Sequence, residues 1–344
     1  MKLKNLISAT IMGVALSTAS LAAAAAETIL FNCFFPPQHP VCKVGVKELA
    51  KRVETATQGR VNVRIPPKSL ASPPKQYEAV RNGVMDGGLQ FNAFFAKKIP
   101  GIQFSLLPFE GKENAAATSR ALWNTYQKHF ANKGEFDDIH LLAVHASNGA
   151  DIFSTTDEQI TSIDDISSRK MWALPGATAI TIKGTGSAVV SGPAVQMLEI
   201  ISRGVVDGYT GVPFASVLSF KLMDYTESAV VYDRKIFQPT FSYFVSKEKW
   251  NKISAADQAA IDAALGADFS AFMGALNDKI NDKALKMFSD AGKPIVEGSP
   301  EMLSGLIALG QPITDAWLAK VASMGVDGNA VLSDYTSAYD AAVK

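Results

Sequence analysis

The sequence predicts an α/β fold of two lobes, and two observations lead to this prediction. Nearly the same six residues occur twice, as Asn82–Gly87 (NGVMDG) and as Arg203–Gly208 (RGVVDG). Each copy follows a segment with helical spacing and precedes a short apolar run that is typical of a strand. Predicted strands and helices also alternate along most of the chain, as they do in α/β sheets. A glycine after a helix is common enough to repeat by chance, so the rest of the chain decides whether each lobe contains one junction.

The first 26 residues have the pattern of a bacterial export signal. Lys2 and Lys4 provide a charged start, residues 6–21 are apolar and small, and residues 22–26 offer an Ala-x-Ala cleavage site. The apolar stretch is short and rich in Ser, Thr and Ala, which favours cleavage over an uncleaved anchor. We therefore expect a signal peptide at 1–26 and a periplasmic protein, secreted through the inner membrane, that does not insert into the membrane after cleavage. No second run of membrane-spanning length is expected.

Composition argues against a nucleic-acid partner. The chain has 33 basic and 33 acidic residues, and loss of the signal peptide leaves 31 against 33, a net charge of −2. No basic run contradicts this balance. The remaining 318 or so residues are enough for two lobes of ordinary domain size.

The first half of the chain predicts one α/β unit. Apolar spacing and alternation predict helices at 44–57, 76–81 and 114–133, and strands at 28–34, 60–65, 84–95 and 140–146. In the first junction, Gly83 has the place of a left-handed residue that ends a helix.

From Asn148 the alternation begins again. The predicted elements are strands at 152–155, 170–174 and 205–212 and helices at 162–168 and 191–202, with Gly204 ending the second helix. A strand at 241–246 returns to the first lobe, and helices follow at 254–292 and 301–324. The predicted lobe I is 27–147 plus about 236–270, and lobe II is 148–235 plus about 271–344 with the C-terminal helices.

The strands that follow the two junctions are predicted to end at Gln90-Phe91-Asn92 and at Tyr209-Thr210-Gly211. Ligands of open α/β sheets bind outside the carboxyl ends of the strands. The doubled junction therefore predicts a cleft between the lobes, with one wall in each lobe.

Only two cysteines occur, Cys33 and Cys42, nine positions apart. In an oxidising compartment they are expected to form a disulfide that closes the intervening loop. Two free thiols are one alternative. Metal binding with His39, which lies between them, is the other, although three ligands without a fourth make a weak zinc signature.

A series of short motifs then gives a specific resemblance. It consists of Thr57-Gln58-Gly59-Arg60, Ser69-Leu70, the Arg81–Asp86 junction, Leu107-Pro108-Phe109, Asp164-Asp165-Ile166 ahead of Lys170, and the Gly204–Gly208 junction. Their order and spacing, over about residues 28–330, resemble the periplasmic substrate-binding subunits of tripartite ATP-independent periplasmic (TRAP) transporters.

This resemblance implies a two-lobed periplasmic-binding-protein fold (type II-like), with the lobes joined by crossing strands and a long helix and the ligand cleft between them. It also implies a monomeric receptor that closes on a small molecule and delivers it to TRAP permease subunits in the membrane. A sensor that signals to a membrane partner would share this fold and is the alternative.

One departure from the family concerns ligand charge. Members that bind organic acids usually carry an Arg in the strand after an Asp-Leu-x-Gly-x-Lys stretch, and this position is most simply Trp172 here. A second Arg, found in some members after the Asn-Gly of the second lobe, falls on Asp151 or Ile152. Both carboxylate clamps are missing. Lys97, Lys98 or Lys183 would have to reach inward to replace them.

The candidate ligand-binding residues are therefore aromatic or neutral. Trp172 is either a pocket residue or an ordinary core tryptophan, and Asp151 either faces the cleft or is a solvated or capping carboxylate. An aromatic rim with neutral hydrogen-bonding groups is predicted from Phe34, Phe35, Phe94, Phe95, Tyr209, Phe241 and Tyr243 together with Gln90, Asn92 and Asn148.

These residues predict a ligand that is neutral or cationic, partly apolar and not a simple dicarboxylate. A carboxylate without a guanidinium partner loses hydration that neutral amides only partly replace. An aromatic wall suits an apolar ring or an alkylated ammonium group, and Asp151 would favour the amine.

Enzymatic function is not supported by any motif. His39, His140 and His145 form no catalytic set by spacing, and neither a Gly-x-Ser-x-Gly elbow nor a His-Glu-x-x-His helix occurs. Gly184-Thr185-Gly186 lacks the Lys-Ser/Thr end of a phosphate loop. A hydrolase or isomerase that uses Asp151 or Asp207 with His145 is the rival from another class, and we expect neither a metal nor a cofactor.

Overall fold

The computed structural model describes residues 26–344, and it confirms the two-lobed α/β fold. The predicted signal peptide falls on residues 1–25, which lie outside the described residues, and on Ala26.

Eleven strands form two sheets within the described residues. They are β1 (Glu27–Asn32), β2 (Val61–Arg64), β3 (Gly87–Phe91), β4 (Ile139–Ala146), β5 (Asp151–Ser154), β6 (Lys170–Ala173), β7 (Ala188–Val190), β8 (Gly208–Val212), β9 (Ser228–Val231), β10 (Thr240–Ser246) and β11 (Ile295–Glu297). The first sheet has the order β2-β1-β3-β10-β4, and the second has the order β11-β9-β5-β8-β6-β7.

Twelve α-helices cover these sheets in the same part of the chain. They are α1 (Lys47–Ala56), α2 (Gln76–Arg81), α3 (Ala115–His129), α4 (Ile163–Ser167), α5 (Ala177–Gly184), α6 (Met197–Ser202), α7 (Phe214–Ser219), α8 (Lys247–Trp250), α9 (Ala255–Ala264), α10 (Gly266–Asp290), α11 (Pro300–Ala322) and α12 (Gly328–Val343). A π-helix, Val41–Val46, leads directly into α1.

The repeated junctions have the same structure in both lobes. Gly83 (φ 71°) and Gly204 (φ 63°) lie in the left-handed region, as predicted. The N–H groups of the following valines donate to carbonyls five residues back, Val84 to Ala79 and Val205 to Ile200, which satisfies the end of each helix.

The aspartate of each junction holds the neighbouring parallel strand. The Asp86 carboxylate accepts from the Leu30 N–H of β1 at 2.7 Å, and the Asp207 carboxylate accepts from the N–H of Lys170, the first residue of β6, at 3.0 Å. The backbone N–H of each aspartate also donates to the carbonyl of the same residue. The strands therefore begin at Gly87 and Gly208, three residues later than predicted.

Two antiparallel segments and one helix join the lobes. Segment 147–150 runs from β4 to β5, and segment 232–239 returns from β9 to β10. The two are bonded, with Ala150 N donating to Phe237 O at 2.7 Å and Ser147 N donating to Pro239 O at 2.9 Å. Helix α10 packs on α3 of the first lobe and on α7 of the second.

The stretch 255–290 is long and apolar enough to cross a membrane by length and composition, with a mean hydropathy of 1.3 in one window of 18 residues. The expectation that the mature chain holds no run of this length is therefore wrong. Its apolar residues Phe269, Met273 and Phe288 are buried against the rest of the protein, so core packing accounts for their presence.

The C-terminal part of the chain, from β11 to α12, packs against both lobes. β11 pairs with β9 and the first half of α11 packs on α5, so both belong with the second sheet. The second half of α11 reaches the first lobe, where Trp317 is part of the core and donates to the Pro100 carbonyl at 2.9 Å. Helix α12 packs instead on α3, and its Tyr335 ring lies 5.0 Å from that of Phe104. The grouping of all of 271–344 with lobe II is therefore wrong for α12, whose apolar side fills the core of the first lobe.

The predicted disulfide is confirmed. Cys33 and Cys42 are bonded, with Cα atoms 5.8 Å apart, and both are buried. The bond closes the loop that follows β1 and ties it to the π-helix.

The contact between α10 and α3 generates a stability prediction. A Cβ on Gly274 of α10 would collide with backbone atoms of Ala115 and Ala116. We expect Gly274→Ala to lower the free energy of unfolding by about 1–3 kcal/mol, because the helices must separate. Gly305→Ala in α11 is the matched control, since its Cβ would meet only the Ile163 side chain, at 3.1 Å. Thermal melts of both variants check this, and equal melting temperatures would contradict it.

A second prediction concerns the disulfide. The double variant Cys33→Ser/Cys42→Ser should be less stable by about 2–3 kcal/mol, because the loop of the unfolded chain is no longer closed. Reductant should lower the melting temperature of the wild type and leave that of the double variant unchanged. Two reactive thiols per chain in unreduced, denatured wild-type protein would show that the bond is absent.

Candidate ligand-binding cleft

A cavity of about 590 Å³, including its opening, lies between the two lobes. The first lobe contributes Phe34, Phe35, His39, Val41, Pro73, Phe91, Phe94, His145, Ser147, Pro239 and Phe241. The second lobe and α10 contribute Leu174, Pro193, Ala194, Val212, Ser216, Phe220 and Asn277.

The disulfide loop forms one aromatic wall. The Phe34 and Phe35 ring centroids are 4.3 Å apart, and the Phe35 ring stacks on that of His39 at 4.2 Å. Because Cys33 and Cys42 close this loop, the bond fixes four cleft residues at once: Phe34, Phe35, His39 and Val41.

The central strands of the first sheet form the floor. Phe241 of β10 lies opposite Phe91 of β3 on one side and opposite His145 of β4 on the other. The Phe241 ring lies 5.6 Å from that of Phe91 and 4.9 Å from that of His145. Phe94 closes the edge, in T-shaped contact with Phe91 at 5.2 Å.

A phenylalanine of the second lobe contacts this aromatic wall. Phe220, which ends α7, lies 6.2 Å from Phe35 and 5.1 Å from His39, measured between ring centroids. These contacts join residues of different lobes, so they depend on the lobes being close together.

The residues that line the cavity include no Arg, Lys, Asp or Glu. None of the three lysines considered as replacements for the missing arginine lines it. Lys98 is paired with Asp138 at 3.2 Å, and Lys97 and Lys183 are exposed. The polar groups of the lining are the imidazoles of His39 and His145, the hydroxyls of Ser147 and Ser216, and the Asn277 amide.

Of the predicted ligand-binding residues, Phe34, Phe35 and Phe241 line the cavity, as does Phe94 of the wider aromatic set. The prediction was wrong for the three large aromatic residues Trp172, Tyr209 and Tyr243, which are fully buried in the core. Trp172 lies opposite Tyr209 in the second sheet. The Tyr209 ring stacks on Phe153 at 4.8 Å, and its hydroxyl bonds with that of Thr226 at 2.6 Å. Tyr243 packs between Phe31 and Phe269.

Four further residues of the prediction also lie outside the cavity lining. The Asn92 side chain bonds with the hydroxyls of Thr240 and Ser242 and so ties the end of β3 to β10. The Asn148 amide donates to Asp278 at 2.6 Å. Phe95 turns away in a 3₁₀ helix and packs on Tyr77, while Gln90 is buried inside β3.

Asp151, for which the sequence left a cleft-facing and a solvated or capping role open, does not line the cavity. Its carboxylate accepts from the Lys235 ammonium at 2.9 Å, and Lys235 also pairs with Glu113 at 3.1 Å. Burial raises the pKa of Asp151 to about 6, and Lys235 opposes that rise. This pair borders a separate surface depression, so Asp151 supplies no counter-charge to the cleft.

Sequence reasoning missed His39, His145, Phe91 and Phe220. Phe91 lies in the predicted strand end Gln90-Phe91-Asn92, from which only the two amide residues were predicted to bind ligand. His145 carried one available signal, a polar residue inside the apolar run Leu141–Ala146. No group of three or more His, Cys, Asp or Glu that could hold a metal occurs in the described part of the chain.

Comparison with known proteins places the chain in a family. The profile of "Bacterial extracellular solute-binding protein, family 7" matches residues 31–320. The chain is 31% identical over 312 residues, 90% of each protein, to the Comamonas testosteroni protein named "Outer membrane transporter protein TsaT".

Two solved structures have the same fold at 25% identity. One is a TRAP periplasmic solute-binding protein from Bordetella bronchiseptica with bound (R)- and (S)-mandelate, with a TM-score of 0.85 over 91% of this chain and 98% of that one. The other is a marine metagenome TRAP solute-binding protein, specific for aromatic acid ligands and bound to 3-hydroxybenzoate, with a TM-score of 0.81 over 93% of this chain and all of that one. The chain therefore belongs to the family 7 extracellular solute-binding proteins, the receptors rather than enzymes that serve TRAP transporters.

Proposed function

We propose that this receptor captures a small aromatic acid with one carboxylate in the cleft between its lobes. The observation that carries the proposal is the cavity lining, which contains six phenylalanines and no charged side chain. A planar ring fits between such walls and gains about 0.5–1.5 kcal/mol for each aromatic pair beyond the burial of its area.

The same lining argues against the amine that the sequence favoured. Asp151 is paired with Lys235 outside the cavity, so an ammonium group would find no carboxylate there. A dicarboxylate is also disfavoured, because two anionic groups would be desolvated among phenylalanines. Two relatives at 25% identity bind mandelate and 3-hydroxybenzoate, which are aromatic rings with a single carboxylate.

The proposed cycle starts with export of the chain and removal of residues 1–26. The monomeric receptor then closes by hinge motion on segments 147–150 and 232–239, and delivers its ligand to the membrane subunits of the TRAP permease. The lobe boundaries that the sequence predicts, at 147/148 and near 236, support the choice of these segments as the hinge.

The ligand class is tested by a thermal-shift panel followed by calorimetry. Benzoate, mandelate and 3-hydroxybenzoate should raise the melting temperature in proportion to their affinity, because they bind only the folded protein. Succinate, malate and benzylamine serve as matched dicarboxylate and amine controls and should leave it unchanged. Tighter binding of a small dicarboxylate than of every aromatic acid would refute the proposal.

Closure is tested at Phe220. We expect Phe220→Ala to weaken benzoate binding about tenfold, since truncation of a buried aromatic anchor at an interface costs over 1 kcal/mol. The matched control is Phe272→Ala, a partly buried phenylalanine of α10 that packs beside Phe269 away from the cavity. Calorimetry measures both variants. Small-angle scattering should show a smaller radius of gyration for wild type on ligand addition, and equal affinity of both variants would contradict the role of Phe220.

A further inference from the structure

His145 differs from the other histidines of the chain. His129 bonds with Asp334 at 2.6 Å, His140 bonds with Asp262 at 2.7 Å, and Nδ1 of His39 accepts from the Val41 N–H at 3.3 Å. The His145 side chain is fully buried, and neither of its ring nitrogens has a partner among residues 26–344.

An unpartnered imidazole at this place needs an explanation. Buried polar groups are nearly always bonded, and leaving one unbonded costs about 1–3 kcal/mol. His145 lines the ligand cavity, and its ring is held parallel to that of Phe241, at an interplanar angle of 15°. Because His145 lines the cavity, a ligand bound there is able to satisfy these nitrogens.

We propose that His145 determines specificity by binding the carboxylate of an aromatic acid and taking up one proton from solvent as the acid enters. The added proton converts the neutral imidazole to imidazolium, which donates an N–H to the carboxylate oxygen, so the occupied cleft has no net charge. This inference rests on the proposed function, since it assumes that the ligand is an aromatic acid.

The groups around His145 carry no charge that could neutralise a ligand carboxylate, so this role falls to His145. Tyr243 of β10, whose ring is 5.4 Å away, is neutral because burial raises the pKa of its hydroxyl well above the ordinary value. His39 approaches from the disulfide loop, and burial lowers its pKa. From the second lobe and α10 come the neutral Ser216 and Asn277. Asp278, next to Asn277, is bonded to the N–H groups of Ala115 and Ala116 instead.

The empty cleft holds a neutral His145. Burial, with a smaller contribution from His39, lowers the pKa of His145 to about 3. An adjacent carboxylate favours the charged imidazolium and raises that pKa again. Between the pKa of the empty state and that of the occupied state, binding takes up a proton and affinity falls as pH rises.

Calorimetry of wild-type protein with benzoate, in buffers of different ionisation enthalpy, tests this. We expect uptake of about one proton per benzoate, and an affinity that falls about tenfold from pH 6 to pH 7. Benzamide, which has the same ring without the charge, should bind with no proton uptake. Benzoate binding without proton uptake would overturn the role of His145 and leave the proposed function standing.

Variants assign the proton to one residue. His145→Gln should abolish the uptake and weaken benzoate at least tenfold, with a smaller effect on benzamide. His140→Gln on the same strand is the control and should behave as wild type. Loss of uptake in His39→Gln but not in His145→Gln would overturn the assignment. If His145→Gln fails to fold, His39→Gln decides: uptake retained in that variant assigns the proton to His145, and uptake lost in it overturns the assignment. If neither benzamide nor any aromatic acid binds, the proposed function fails and this inference fails with it.

Discussion

The pairing of β10 with both β3 and β4 is the interaction on which the molecule depends. β10 enters the first sheet from the second lobe, so the segment before it forms half of the hinge. Its first residues form the cleft floor, where Phe241 lies between Phe91 and His145. On the opposite face, Thr240 and Ser242 bond with Asn92 and fix the register. Sheet order, hinge and cleft floor are therefore set by one strand.

Local features of the fold could be predicted because their causes are local. A glycine with φ above zero ends a helix within a few residues. The end of the helix in each junction could therefore be predicted from six residues of sequence. The junction also contains an aspartate that bonds the adjacent strand, 56 residues away in the first lobe. The repeat of this aspartate is visible in the sequence. The residue that it bonds can be identified only once the order of the strands in the sheet is known.

The site was predicted less well because it depends on side-chain direction. Neighbouring residues of a strand point to opposite faces, so an error of one position moves a residue from cleft to core. The face alone is not enough either: Trp172 and Leu174 are two positions apart and belong to one apolar cluster, yet Leu174 lines the cavity while Trp172 is fully buried. Asp151 is neutralised by a lysine 84 residues away, and no spacing rule reveals such a pair. The prediction was better for Phe34 and Phe35, which line the cavity, because the disulfide confines them to one short loop.

The burial of Trp172 changes the meaning of the missing arginine. A guanidinium at this position would lie in the core of the second lobe, where an unpaired charge is expensive. The arginine is therefore not simply absent from an otherwise unchanged pocket, because a fully buried indole ring, in the same apolar cluster as Tyr209 and Leu174, takes its place. With the second lobe contributing only apolar and neutral polar groups to the cavity, the charge of an acid has to be met from the first lobe. Histidine meets it only when the ligand is present, so the empty cleft avoids the cost of a buried, unpaired cation.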